Sequence, residues 1–278
     1  MKRIDRLTRR WWRLVGQPVD LAGKHTWLDA PRGRADDEIG DQWIADEAER
    51  LGATVPPADA EAGLLASMAT LDGPGFDAAR LDPAVADFYE NTARWRMEVW
   101  SEWEPLFRPG GELIATFFSR RVRQLAIPTR PLEVAHGMTS EVRRFIGPDG
   151  DHLGSAWLRR LRSTGDFVYS GYYRQSWLPG ADGPVVQVTF PLPHGNLQVF
   201  LKPTVAADGS LLLRSPGRRF GGPGAYLVVD DTGTHAALTP LRETFHVYTD
   251  AEGTLRTDHE LRLWRWRVLR LHYRLDRH

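Results

Sequence analysis

From about Glu141 to the C-terminus, apolar and polar residues alternate in short runs bounded by Gly, Asp and Pro. That period-two pattern predicts strands with one buried face. Clear runs are Val185–Phe190, Ala225–Asp230 and Leu238–Tyr248. The last run passes through Leu255, Thr257, His259, Leu261 and Leu263, and resumes at Leu269, Leu271, Tyr273 and Leu275. Trp264–Arg267 interrupts it and predicts a turn. Together these give roughly nine or ten mostly antiparallel strands.

Three connections, Arg162–Asp166, Ala206–Ser210 and Asp250–Thr254, each place glycine at the fourth turn position. Such a turn closes with a glycine bulge, and the bulge shifts pairing by one residue. With that shift Val205 falls opposite Leu211, Pro203 opposite Leu213, Phe245 opposite His259 and Val247 opposite Thr257. The same rule applied to the first turn groups Trp157, Leu161, Phe167, Tyr169 and Tyr173 on one face. Register decides which side chains share a face, so these turns carry the functional reading too.

Helical spacing dominates the first half. Residues 2–16 set Ile4, Leu7, Trp11, Leu14 and Val15 among six Lys and Arg side chains, a basic amphipathic helix. Such a helix docks on its own domain or lies on an anionic membrane surface. Further helices are expected at about Asp37–Leu51, capped by Asp36 or Asp37, and at Ala58–Leu71. Asp82-Pro83 starts another, carrying Val85, Phe88, Tyr89, Thr92, Trp95, Arg96, Val99 and Trp103. A last one covers Glu112–Leu125. Residues 71–83 punctuate the chain with Gly and Pro, which predicts a helical N-terminal region (1–82) followed by a helix pair plus antiparallel sheet (83–278). The expected fold is α+β, a large curved antiparallel meander of lipocalin-like or half-barrel form with the helices packed on it.

Composition narrows the chemistry. Thirty-six basic and 36 acidic residues among 278 cancel, which argues against a nucleic-acid partner. Cysteine is absent, which excludes disulfides, thiolate metal sites and cysteine nucleophiles. No HExxH, HxH or HxxxH pairing predicts a metal, and no GxSxG or phosphate-binding glycine motif predicts a cofactor. No apolar run approaches the ~20 residues of a membrane helix, and arginines break every apolar stretch near the N-terminus. The chain reads as soluble and cytoplasmic. Eleven tryptophans favour a broad apolar surface or pocket.

Several segments resemble a known family: Phe88-Tyr89-Glu90 with Thr92, Pro191-Leu192-Pro193 with Asn196, Lys202-Pro203, Glu243-Thr244-Phe245, and His259 followed by Trp264. They are similar to the soluble C-terminal region of YndJ-like bacterial proteins, over roughly residues 83–277. The membrane-spanning part of those proteins is missing here. The resemblance implies a recurring soluble domain and brings no reaction, substrate or catalytic residue with it.

Three readings of function follow. In the first, the chain binds an apolar or amphiphilic, lipid-like small molecule without catalysis. Ligand-binding candidates are then Arg159, Tyr169, His259 and the glycine-rich loop Ser215–Tyr226 with Arg218 and Arg219, whose backbone amides and guanidinium groups suit an anion. Whether Arg159 or its neighbour Arg160 faces inward is open. In the second, Glu243 and His259, brought together by the register, act as an acid–base pair of a hydrolase or isomerase on an apolar substrate. In the third, the N-terminal helix makes a peripheral membrane or partner contact.

Overall fold

The computed structural model describes residues 11–33, 40–104, 138–162, 164–230 and 232–277. In chain order the described elements are β1 (Gln17–Pro18), α1 (Trp43–Leu51), α2 (Pro83–Glu90), β2 (Trp95–Trp103), β3 (Met138–Ile146), β4 (His152–Leu161), β5 (Phe167–Ser176), β6 (Val185–Leu192), β7 (Gly195–Val205), β8 (Leu211–Arg214), β9 (Ala225–Asp230), β10 (Thr234–Leu238), β11 (Leu241–Thr249), β12 (Leu255–Leu263) and β13 (Trp266–Arg277). Residues 11–15 are also helical. The expected helix at Glu112–Leu125, the caps Asp36 and Asp37, and residues 2–10 lie outside the described residues.

Thirteen strands form one antiparallel sheet, ordered β2-β13-β12-β11-β8-β7-β6-β5-β4-β3. The long strand β7 forks, pairing β8 through Lys202–Val205 and β9 through Gly195–Val199, and β10 and β1 continue beyond β9. The end strands β2 and β3 approach each other, so the sheet is nearly closed and barrel-like. The fold is α+β.

All three bulged turns adopt the expected form: Gly165, Gly209 and Gly253 have φ of 76°, 82° and 79°, a region glycine enters without steric cost. Val205↔Leu211, Pro203↔Leu213, Phe245↔His259 and Val247↔Thr257 pair as the turn rule requires. One grouping is corrected. In β5 the pairing jumps from Arg159↔Tyr169 to Arg160↔Phe167, leaving Val168 as an extra residue. That bulge turns Phe167 to the outer face, where it packs with Leu158 and Tyr172. Tyr169, Tyr173 and Trp157 stay inside.

Two helix expectations are corrected as well. The segment around 58–71 contains only a 3-10 turn, Met68–Leu71. The helix from Pro83 stops at Glu90, and Trp95–Trp103 is the strand β2. Trp95, Met97, Val99 and Trp103 satisfy the strand period as well as the helical one. The edge of β13 supplies a nine-residue ladder, Trp95↔Arg277 through Trp103↔Leu269, that a lone helix cannot match, and aromatic and β-branched side chains fit a half-buried pleat. Thr92 closes the helix by donating its hydroxyl to the Phe88 carbonyl at 2.6 Å.

The interior core gathers Ala62, Leu64, Leu65, Met68, Leu71, Val85, Phe88 and Tyr89 against the inner faces of β4, β6, β7, β8, β11, β12 and β13. These residues fill the end of the barrel marked by Trp95, Leu211, Val247, Leu255 and Leu275. The outer face is covered too. α1 seals β3–β5 through Trp43 and Ile44 against Phe145, Ala156, Leu158 and Tyr172. Residues 27–28 cover β6, β7, β9 and β10. Here the polar alternates Gln187, Thr189, Asn196 and Gln198 are fully buried and clasp the covering segment. Asn196 donates to the carbonyls of Ala30 and Pro31 (3.2 and 3.0 Å), and Gln198 to that of Leu28 at 2.7 Å. Buried amides with their hydrogen bonds satisfied are stable in an otherwise apolar layer.

Candidate ligand cavity

Above the packed end, the barrel encloses a cavity of about 500 Å³, within the roughly 300–1,000 Å³ of small-molecule sites. Leu64, Phe88 and Tyr89 form its floor; Val188, Phe190, Leu197, Val199, Leu213 and Leu271 form much of its wall. Trp12 reaches the lining from the N-terminal helical residues, while Trp11 and Leu14 are exposed. The apolar wall follows from strand alternation: inward apolar positions along β6–β8 and β11–β13 either face this space, as Val188, Val199, Leu213 and Leu271 do, or pack into the filled end, as Leu211, Val247, Leu255 and Leu275 do.

A small set of polar groups interrupts that wall. Arg159, on β4, lines the cavity, whereas Arg160 points outward to Asp41 at 2.9 Å. The Arg159 residue is only 6% exposed. Its guanidinium lies 5.5 Å from the Trp157 ring centre and 5.9 Å from that of Tyr273, and its Nη2 sits 3.6 Å from the Met138 sulfur. No carboxylate pairs with it among the described residues. Burial lowers its pKa, yet a guanidinium keeps its charge in proteins.

Tyr169 and Tyr173, four residues apart on β5, share the inner face, and the Tyr169 hydroxyl donates to that of Tyr173 at 2.6 Å. Burial raises both phenols well above their ordinary range and raises Tyr273 to about 12. All three are neutral hydrogen-bonding groups at physiological pH.

Glu243 and His259 also line the cavity. The register sets them diagonally on β11 and β12, since Glu243 faces Leu261 and Phe245 faces His259. Glu243 Oε2 is 3.3 Å from His259 Nε2, but the atoms are not aligned as a hydrogen bond, and neither ring nitrogen has an aligned partner. The imidazole instead lies flat on Phe245, ring centres 3.8 Å apart and planes inclined by 15°. The contact is therefore close and electrostatic, with both polar ends turned to the same space.

The loop Ser215–Tyr226 stands elsewhere. Phe220 and Tyr226 pack on Trp27 outside the barrel, and the Tyr226 hydroxyl donates to the Gly222 carbonyl at 2.6 Å. Arg218 and Arg219 are exposed; Arg219 donates to the Gly180 carbonyl at 3.1 Å. Neither lines the cavity. Of the five ligand-binding candidates, the structure brings Arg159, Tyr169 and His259 together and leaves Arg218 and Arg219 apart.

Tyr273 and Met138 were missed. Tyr273 stands in the apolar alternation of β13, but its nearness to Arg159 depends on β13 and β4 coming together where the end strands β2 and β3 of the described sheet approach each other. No local pattern reports that.

In sequence, the chain is similar to the uncharacterized membrane protein YndJ of Bacillus subtilis (strain 168), with 28% identity over 214 residues. The match covers 76% of this chain and 37% of that protein, so the chain spans little more than a third of its curated relative's length. The YndJ-like character read from scattered motifs is thereby found across most of the chain. No family model matches, and no solved structure matches. Among the described residues, no helix is long and apolar enough to cross a membrane.

Proposed function

We propose that this YndJ-like chain is a binding protein that holds an apolar or amphiphilic small molecule inside its barrel. The observation that carries the reading is the cavity of about 500 Å³ with predominantly apolar walls. Apolar walls with a few convergent polar groups are the usual make-up of ligand pockets. Native mass spectrometry after incubation with a total lipid extract should detect a stoichiometric adduct. Leu197→Trp, which adds bulk to the cavity wall, should remove that adduct and leave thermal unfolding nearly unchanged. Absence of any adduct on the wild-type chain rejects the reading.

The 3.3 Å approach of Glu243 to His259 inside the cavity favours a second reading, an acid–base enzyme acting on an apolar ester. Hydrolysis of a long-chain p-nitrophenyl ester should then fall by about 100-fold or more in Glu243→Gln, the size of a general acid–base contribution. Equal hydrolysis by variant and wild type removes this role.

A further inference from the structure

We infer that the occupant of the cavity is a single-chain amphiphile with an anionic head, a carboxylate or a phosphate, seated on Arg159. The inference rests on the pocket reading above and adds the chemistry of the head group.

Among the described residues, Arg159 is a buried cation without a counter-ion. The residue is 6% exposed, lines the cavity, and has no ion-pair partner among the described residues. Its neighbours are two aromatic rings, the Tyr273 hydroxyl and a thioether, which attract a cation weakly and, among the described residues, supply no anionic acceptor for its five N–H donors. Removing a charge from water is costly unless it is paired and hydrogen-bonded. An anion entering the cavity would supply that pairing, and a planar guanidinium fork suits carboxylate and phosphate oxygens.

The surroundings select further. The Tyr273 ring borders the guanidinium and its hydroxyl oxygen accepts from it, which leaves the phenol proton as a neutral donor for the same anion. Glu243 supplies a carboxylate in the same cavity beside His259. It therefore repels an anion, and favours placement of the head at the Arg159 side. Apart from the hydroxyls of Thr239, Thr257, Tyr169 and Tyr173, the remaining wall offers an alkyl chain hydrocarbon and aromatic surface.

Three ligands of equal chain length separate the contributions: palmitate, hexadecyl phosphate and hexadecanol, each measured by equilibrium dialysis against the full chain. At least one anion should bind about 10-fold or more tighter than hexadecanol, the range of a charge-assisted hydrogen bond; which anion binds tighter identifies the head. Arg159→Met should erase the preference, Arg159→Lys should restore part of it, and Glu243→Gln should tighten the anion several-fold without changing hexadecanol. If Arg159→Met fails to fold, the wild-type comparison and Glu243→Gln decide. Hexadecanol binding as tightly as both anions overturns the inference and leaves the pocket reading standing. No binding of any of the three overturns the inference, whereas the pocket reading stands or falls on the lipid-extract adduct.

Discussion

Alanine at position 63 is expected to lower stability by about 3–5 kcal/mol, above the usual ~1–3 kcal/mol of overpacking because the clash is with backbone. Gly63 stands where the segment 62–68 crosses the end of α2. A β-carbon there would lie 2.1 Å from the Glu90 carbonyl oxygen and 2.7 Å from that of Tyr89. Both obstacles are backbone, so no side-chain rotation relieves them. The crossing is also tied on every side. Leu64 and Leu65 donate their amides to the Tyr89 carbonyl (2.8 and 3.1 Å), and Ala93 donates to Ala62 at 2.9 Å. Glu90 accepts from the Ser67 hydroxyl and the Met68 amide (3.0 and 2.6 Å), and Ser155 donates to the Gly63 carbonyl at 2.7 Å. Backing away by the required distance breaks several of these bonds together. Calorimetry should show a fall in Tm of about 6–20 °C at the usual ~2–4 °C per kcal/mol for chains of this size. Ligand retention should weaken as well, because Leu64 forms part of the cavity floor. A variant as stable as wild type would show that the crossing is looser than described.

Trp43→Ala is expected to cost a similar amount, about 3–5 kcal/mol, but with a different signature. Trp43 is 2% exposed, stacks on Phe145 at 6.1 Å with planes inclined by 19°, and donates its indole N–H to Ser170 at 2.9 Å. It is the main anchor of α1 on the outer face of β3–β5. Truncation leaves a void and frees the helix, so chemical unfolding should shift strongly. The cavity lies on the opposite face of the same strands and contains no α1 residue. Folded Trp43→Ala protein should therefore bind the same ligand with unchanged affinity. Loss of affinity in the folded variant would mean that the outer layer shapes the cavity.

The two variants mark the boundary of what a linear reading can reach. The sheet was legible because its residues obey one local rule. Glycine at the fourth turn position sets the bulge, the bulge sets the register, and the register placed Phe245 opposite His259 before any contact was known. Where two local rules applied at once, reading failed. Trp95–Trp103 fits a helix and a strand equally, and only the free edge of β13 chose between them. Polar alternates usually meet water, yet Asn196 and Gln198 are buried and hold the carbonyls of residues that lie 165 to 170 positions away, while Gln187 donates to Gln198.

By itself, then, the amino-acid order determined the antiparallel strands after Glu141, the pairing across the two later bulged hairpins and much of the inward row that became the cavity wall. These depend on φ preferences and period-two burial, which act over a few residues. The tertiary structure alone decided that Arg159 rather than Arg160 turns inward, that Tyr273 meets it where the end strands β2 and β3 of the described sheet approach each other, and that Arg218 and Arg219 stay outside. Those outcomes depend on how the barrel closes and which face each covering segment occupies. Closure brings together strands distant in the chain, and the burial of Arg159 without a carboxylate partner among the described residues is a property of the assembled space rather than of any stretch of sequence.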